Sequence, residues 1–342
     1  MDRSSRRRAT TAAVLRTGIT RTAIAAAIVL CLHVTLSLSK GEPQAPPAAA
    51  ATPTPTPSVL VATPSFLMYA EGDRRHPAIG GSLAAGYRIL GTIADGSALV
   101  SFDDGFSTIV ETVTPALRTR TVKSFTRGTT TFRGNDGFLT VEPNSQLLRR
   151  YDASGNVVGT PVLPLGLEDV LGVGDSVVVL GGGRLRVYDR GGRMRKEIIM
   201  NGNSLVPLPD ARFAVNDLTD SEVRAYTTDL EQTATLRYVG LPARLLASAP
   251  DGTLIVLAGT PSCVTSNAEI DVFTDLHAQP AARYHHGIGM ARAIAVSPDF
   301  VYVANASCHT GEEASISAIS RADGSPSVMR QVGYPTSLIP FR

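Results

Sequence analysis

From about residue 58 to the end of the chain, one pattern of apolar runs and turns recurs with a period of about forty residues. Each unit holds an apolar stretch, an Asp/Gly turn, a β-rich run, a loop, and a strand that ends in an aromatic or apolar residue before a Gly turn. Because a unit of this size buries its apolar face only against its neighbours, the repeat predicts an array of stacked β units.

The runs within each unit alternate apolar and polar residues and are bounded by Gly and Asp, which is the sequence pattern of a β-hairpin. The 31 Gly and 22 Pro of the chain favour many short elements over long helices. Four such strands per unit, repeated around an axis, predict an all-β fold, a β-propeller of four-stranded antiparallel blades. Second strands are expected at 98–102, 137–141, 176–180, 212–215, 253–258 and 300–304, and third strands at 148–151, 185–188, 223–226, 270–273 and 316–319.

Six units account for residues 87–335, and the two leftover ends complement each other. Residues 336–341 resemble a first strand without successors, whereas 59–72 resemble a second and third strand without a first. Joined, they form a seventh blade that is shared by the N- and C-terminal strands and leaves no exposed sheet edge. We therefore expect seven blades, with six as the alternative.

Residues 291–305, Ala-Arg-Ala-Ile-Ala-Val-Ser-Pro-Asp-Phe-Val-Tyr-Val-Ala-Asn, resemble the YVTN-type repeat of the lactonase-like propellers. Residues 241–258 form a looser copy, and 333–338 begin a third. This resemblance implies a propeller fold more than an activity. The absence of Trp argues against WD-type repeats, sialidase Asp-boxes and the Trp-docked quinoprotein repeats.

The first 57 residues differ in composition from the repeats. Six Arg and one Lys lie within residues 1–40, and an apolar run extends from Ala23 to Ser39. This order is typical of a secretory signal, with an uncleaved N-terminal membrane anchor as the alternative. Residues 40–57 are rich in Ala, Pro and Thr and predict an extended linker. We therefore expect export (periplasmic, cell-envelope or secreted), with the propeller domain at 58–342.

Beyond residue 40 the chain holds 25 basic and 29 acidic residues, which argues against a nucleic-acid partner. Cys263 and Cys308 lie in the two longest loops between second and third strands, about one repeat apart in adjacent blades. In an exported protein such a pair favours a disulfide, with two free thiols as the alternative. The bond would hold these loops rigid at the mouth of the channel.

Histidines and carboxylates collect on the same face. His285 and His286 end one blade, and His309, Glu312 and Glu313 lie in the second long loop. Imidazole and carboxylate groups are ligands for a divalent metal or an acid/base pair, although no spacing here is diagnostic, and solvated loop residues are the alternative.

A second set of candidate binding residues comes from aligning the starts of the first strands, which surround the channel. Three arginines in one narrow mouth offer bidentate donors to a carboxylate or phosphate. In the alternative interpretation, each arginine pairs with a carboxylate or carbonyl of the adjoining blade. The aligned residues are Arg88, Asp169, Ser204, Arg244, Arg292 and Ser337.

The sequence lacks G-x-S-x-G, H-E-x-x-H, C-x-x-C and P-loop motifs, so no common catalytic class has support. We expect a monomeric binding or scaffold module whose channel face contacts a protein, a glycan or a small anion, and which meets a membrane only through its N-terminal segment. The alternative is a metal-assisted enzyme, since the resemblance includes lactonases and lyases. Its candidate residues are Asn305, His285, His286, His309 and Glu312.

Overall fold

The computed structural model describes residues 55–72, 74–75, 79, 85–164, 166–238, 241–260, 268–285, 290–306, 314–330 and 335–341. These residues form strands and turns only, arranged as seven antiparallel sheets. The predicted all-β, seven-bladed propeller is therefore confirmed, and the six-bladed alternative is wrong. Within the same residues, no helix has the length and apolarity needed to cross a bilayer.

The blades follow one another along the chain. Blade 1 contains β4 (Ala85–Thr92), β5 (Ala98–Asp103), β6 (Ser107–Val113) and β7 (Thr119–Thr126). Blade 2 contains β8 (Thr130–Arg133), β9 (Gly137–Val141) and β10 (Leu148–Asp152), and blade 3 contains β11 (Asp169–Val173), β12 (Ser176–Gly181), β13 (Arg184–Tyr188) and β14 (Met194–Ile199). Blade 4 contains β15 (Gly202–Leu208), β16 (Arg212–Asp217), β17 (Glu222–Thr227) and β18 (Gln232–Arg237).

Blade 5 contains β19 (Ala243–Ser248), β20 (Leu254–Ala258), β21 (Glu269–Phe273) and β22 (Ala282–Tyr284). Blade 6 contains β23 (Met290–Val296), β24 (Phe300–Ala306), β25 (Ser315–Ser320) and β26 (Pro326–Arg330). Blade 7 contains β27 (Ser337–Pro340), then β1 (Ser58–Ala62), β2 (Leu67–Glu71) and β3 (Arg74–Arg75). In blade 2 the fourth position is taken by Val157 and Val162, which pair with β10 through isolated bridges.

The C-terminal strand closes the ring as the sequence predicts. β27 pairs antiparallel with β1, with Ala62 opposite Ser337 and Val59 opposite Pro340. The Thr336 amide also donates to the Ala62 carbonyl oxygen at 2.8 Å. Both chain ends therefore build one sheet, and neither β1 nor β27 is left as an open edge on that side.

The core is divided among the seven blade interfaces. Each buried apolar cluster of the described residues joins two adjacent blades, as Phe125 of blade 1 contacts Phe138 and Tyr151 of blade 2 edge-on. The cluster between blades 7 and 1 contains Leu60 and Phe341, one from each end of the chain. The second strands are buried on both faces, which explains their continuous apolar runs.

The seven first strands form the inner wall. Each contacts the next around a closed ring, in the order β4, β8, β11, β15, β19, β23 and β27. Their starts share one end of the central channel, which we call the entrance, and their ends share the other, which we call the exit. Several of these strands carry a β-bulge close to the entrance, including β19 and β23.

Candidate functional site

The channel contains a cavity of about 280 Å³ that is lined by both apolar and polar groups. Its wall comes from the exit halves of six inner strands and includes Ile89, Leu246, Ile294 and Leu338. One or two residues earlier on the same strands lie the positions that the sequence alignment singled out. Because a strand rises about 3.3 Å per residue, that ring lies only about 3–7 Å closer to the entrance than these wall residues.

The entrance residues lie on the strands predicted for them. Arg88, Asp169 and Ser204 are on β4, β11 and β15, and Arg244, Arg292 and Ser337 are on β19, β23 and β27. Arg244 and Arg292 are each the extra residue of a β-bulge, since neither has an opposite partner on the second strand. A bulge turns a side chain out of the regular pleat, and both arginines are exposed.

Arg88, Arg244 and Arg292, which we call the entrance arginines, have no hydrogen bond or ion pair among the described residues. The segments leading into their strands, 80–84, 239–240 and 286–289, lie outside the described residues, so the alternative in which each arginine pairs with an adjoining blade stays open. Arg244 and Arg292 lie on adjacent inner strands, and Arg88 follows beyond β27. The three thus occupy one arc of four consecutive strands.

Asp169 lies outside this arc, separated from β19 by β15 and from β4 by β8. Its carboxylate accepts from the Leu205 amide at 2.7 Å and from its neighbour Val170 at 2.8 Å, so it joins blade 3 to blade 4. No cation pairs with it among the described residues. Desolvation by burial raises the pKa of Asp169 to about 6, and the two amide donors only partly oppose this rise.

Two other polar side chains join neighbouring blades, Ser337 of the ring and Asn216 of the second strand β16. The Ser337 hydroxyl oxygen accepts from the Ile89 amide at 3.1 Å, which links blade 7 to blade 1. Asn216 donates from Nδ2 to the Ala243 carbonyl at 3.0 Å and links blade 4 to blade 5. These contacts fix the inner strands against one another and hold the entrance at a defined width.

Asn305 was a candidate ligand-binding residue, and it is buried on β24. Only 6% of the residue is exposed, and its Nδ2 donates to the Ser317 hydroxyl at 3.3 Å.

Of the metal candidates, only His285 lies within the described residues. Its Nδ1 is 3.9 Å from Glu269 Oε2, and 59% of its side chain is exposed. The described residues hold no group of three or more His, Cys, Asp and Glu side chains arranged for a metal ion. The remaining candidates His286, His309 and Glu312 lie outside the described residues, as do Cys263, Cys308 and residues 1–54 with the signal and most of the linker.

Arg133 is a channel residue that the sequence comparison missed. It ends β8 and lines the cavity at the exit side. Its side chain lies against β4 of blade 1, since a Cβ placed on Gly91 would be 3.7 Å from Arg133 Nε. The other blades offered no arginine at the ends of their first strands, so no alignment drew attention to it. In the sequence, Arg133 could be recognised only as the charged residue that ends the short strand Thr-Thr-Phe-Arg.

Comparison with known proteins identifies the fold. No protein-family model matches the chain, and no curated protein matches it. Among solved structures, a candidate 6-phosphogluconolactonase from Bacteroides fragilis superposes with a TM-score of 0.56 at 12% identity, over 85% of this chain and 99% of that one. A protein from Lactobacillus plantarum gives 0.55 at 13% identity, over 83% and 99%. A quinoprotein alcohol dehydrogenase-like protein from Bacteroides thetaiotaomicron gives 0.56 at 14% identity, over 83% and 78%.

At identities of 12–14%, these neighbours show the propeller fold alone, with lactonase-like and dehydrogenase-like proteins among them. The YVTN-type repeat remains a prediction from the sequence.

Proposed function

We propose that this protein is an exported, non-catalytic binding module that holds a small multivalent anion at the channel entrance. The observation that carries the proposal is the arc of entrance arginines, each exposed on an inner strand and without a partner among the described residues. A guanidinium group presents a planar pair of N–H donors that matches a carboxylate, phosphate or sulfate oxygen pair.

The arrangement favours a multivalent anion over a single carboxylate. Arg244 and Arg292 project from bulges on neighbouring strands, and Arg88 is two strands further on. One compact ligand with two or more acidic groups meets several of these donors at once. The inter-blade bonds of Ser337 and Asn216 set the donors on a rigid frame, which lowers the entropy lost on binding.

Calorimetric titration of the full chain with sulfate and with citrate tests the proposal. We expect wild type to bind both, and the double variant Arg244→Gln/Arg292→Gln to bind at least tenfold more weakly, because each charged hydrogen bond contributes about 1.5–3 kcal/mol. Arg118→Gln is the matched control, since Arg118 is also exposed but lies on the turn between β6 and β7.

Equal losses in the control and the double variant would indicate general charge attraction and contradict a site. The lactonase- or lyase-like alternative is tested on the same sample by adding lactones with and without divalent cations. Turnover that depends on His285 would replace the binding-module proposal with the enzyme.

A further inference from the structure

An open groove of about 660 Å³ lies on the outer strands of blades 4 and 5, and we call it the rim groove. One side is the end of β18 with the residues that follow it, and the other is β21, β22 and the loop 274–281. The outer strand of blade 5, β22, has only three residues, whereas β18 has six. Pro280 has no amide hydrogen for the strand ladder, so pairing with β21 begins only after it. The short outer strand therefore leaves part of β21 accessible from the side.

The rim groove contains two mostly buried carboxylates that differ in their partners. Asp271 accepts two bonds from Arg283, at 2.6 and 3.1 Å. The Glu269 side chain is 11% exposed and has no hydrogen bond among the described residues. Its nearest cations are Arg283 Nε at 3.6 Å and His285 Nδ1 at 3.9 Å, which are ion-pair distances only. A carboxylate oxygen in such surroundings is left with accepting capacity that a ligand can use.

Tyr238 adds a second polar group without a partner. The residue is 8% exposed and lines the groove, and its buried hydroxyl has no hydrogen bond in the described part of the chain. Burial, and then the charges of Asp271 and Glu269, raise the pKa of Tyr238, so the hydroxyl keeps its proton. A buried hydroxyl without a partner costs stability. The groove thus combines an acceptor at Glu269 with a nearby hydroxyl at Tyr238.

These groups define the chemistry of the occupant. The charged lining residues are Arg237 and Arg283 against Glu269 and Asp271, so the groove has no excess charge to select an ion. A ligand hydroxyl both donates to Glu269 and accepts from Tyr238, whereas an ammonium group only donates and a carboxylate only accepts. The volume falls within the range of about 300–1,000 Å³ that is usual for small-molecule sites and suits roughly two or three sugar units. We propose that the rim groove binds a neutral oligosaccharide, with one sugar hydroxyl between Glu269 and Tyr238.

Calorimetric titration of the full chain with maltotriose, cellotriose and triacetylchitotriose tests the inference. We expect at least one of these neutral trisaccharides to bind with a Kd below about 1 mM. Glu269→Gln should weaken that trisaccharide about five- to tenfold, because a hydrogen bond to a charged acceptor becomes one to a neutral acceptor. The matched control is Glu231→Gln, since Glu231 is an exposed carboxylate on the turn between β17 and β18 and does not line the groove. It should bind like wild type.

Two further variants separate binding from folding. Tyr238→Phe removes a hydroxyl that has no partner, so its melting temperature should not fall while the trisaccharide binds about threefold more weakly or worse. Ala278→Trp fills the groove from an exposed loop position and should weaken the trisaccharide more than tenfold without removing any polar group.

The rim groove shares no residue with the channel entrance, so this inference stands or fails separately from the proposed anion site. Arg244→Gln/Arg292→Gln should therefore bind the trisaccharide like wild type. Three results would overturn the inference: no binding of any of the three trisaccharides at millimolar concentration, wild-type affinity in Glu269→Gln or Ala278→Trp, or a loss of binding in the double arginine variant.

Discussion

Replacing Asp169 with Asn should stabilise the folded protein at neutral pH and lose this effect in acid. Asp169 is a mostly buried carboxylate with two amide donors and no cation among the described residues. Asn keeps an oxygen that accepts from the Leu205 amide, so the link between blades 3 and 4 persists and the charge is removed. Its NH₂ group cannot accept from the Val170 amide, and this loss is the same at every pH.

The magnitude follows from proton linkage. The pKa of Asp169 is about 6 in the folded state against an ordinary value of 3.8. The folded state therefore binds more protons than the unfolded state between these values, and the free energy of unfolding falls as the pH rises through this window. The full difference corresponds to about 3 kcal/mol, of which about 2 kcal/mol develops between pH 4.5 and 7.5.

Urea unfolding of wild type and Asp169→Asn at pH 4.5, 6 and 7.5, followed by far-ultraviolet circular dichroism, measures this difference. We expect the stability of the variant relative to wild type to increase by about 2 kcal/mol from pH 4.5 to pH 7.5, on top of the pH-independent cost at the Val170 amide. Asp175→Asn is the control, because 80% of its side chain is exposed, and it should show no such trend. An advantage of Asp169→Asn that is the same at all three pH values would refute the assignment of a buried, unpaired carboxylate.

Other predictions concern binding, the outer strands, the closure and the cysteines. Sulfate affinity should rise as the pH falls from 7.5 to 5, because protonation of Asp169 removes a negative charge near the entrance, and Asp169→Asn should abolish this trend in calorimetry. Arg224→Met should cost about 3 kcal/mol in urea unfolding, because it leaves the buried Asp217 carboxylate without its cation while Glu222 keeps Arg237, whereas Arg149→Met on the more exposed pair with Glu142 should cost less than about 1 kcal/mol. Deleting residues 336–342 should abolish cooperative melting, because β1 loses its partner strand and the core loses Leu338 and Phe341. If Cys263 and Cys308 form a disulfide, thiol labelling of the unfolded chain should modify both only after reduction, as peptide mass mapping would show.

Much of the fold could be predicted because each blade repeats the same sequence pattern of apolar strands and Gly turns. A buried second strand needs a continuous apolar run, as at Ser176–Gly181, and the following hairpin needs a turn residue such as Gly182 with positive φ. The closure of blade 7 could be inferred because the repeat pattern is incomplete in two places, and the strands missing from one are present in the other. The irregular blade 2 was less predictable, since its fourth position is held by two isolated bridges without a regular strand.

The site was only partly predictable. Aligned repeats place Arg88, Arg244 and Arg292 on the inner strands, but the pairing of a side chain depends on its neighbours in space. The pattern did not indicate that Asn305 would be buried and donate to Ser317, because strand register decides this. Arg133 escaped notice because its place in the channel depends on a cavity to which six blades contribute.

The arginines of the outer strands and those of the channel entrance differ in where they lie more than in whether they are paired. On the outer parts of the blades, Arg283 makes two bonds to Asp271 at 2.6 and 3.1 Å, and Arg186 binds Glu197 at 2.6 Å. The entrance arginines have no ion pair among the described residues, but the same holds for Arg118 on the turn between β6 and β7, and all of these side chains are exposed. Exposure and the lack of a described partner therefore do not by themselves mark a site. The entrance arginines are distinguished by their position on inner strands that enclose one channel, where the proposed anion would meet two or more of them at once. Comparing Arg244→Gln/Arg292→Gln with Arg118→Gln tests that property, because a loss of sulfate binding confined to the channel variant comes from position and not from net charge.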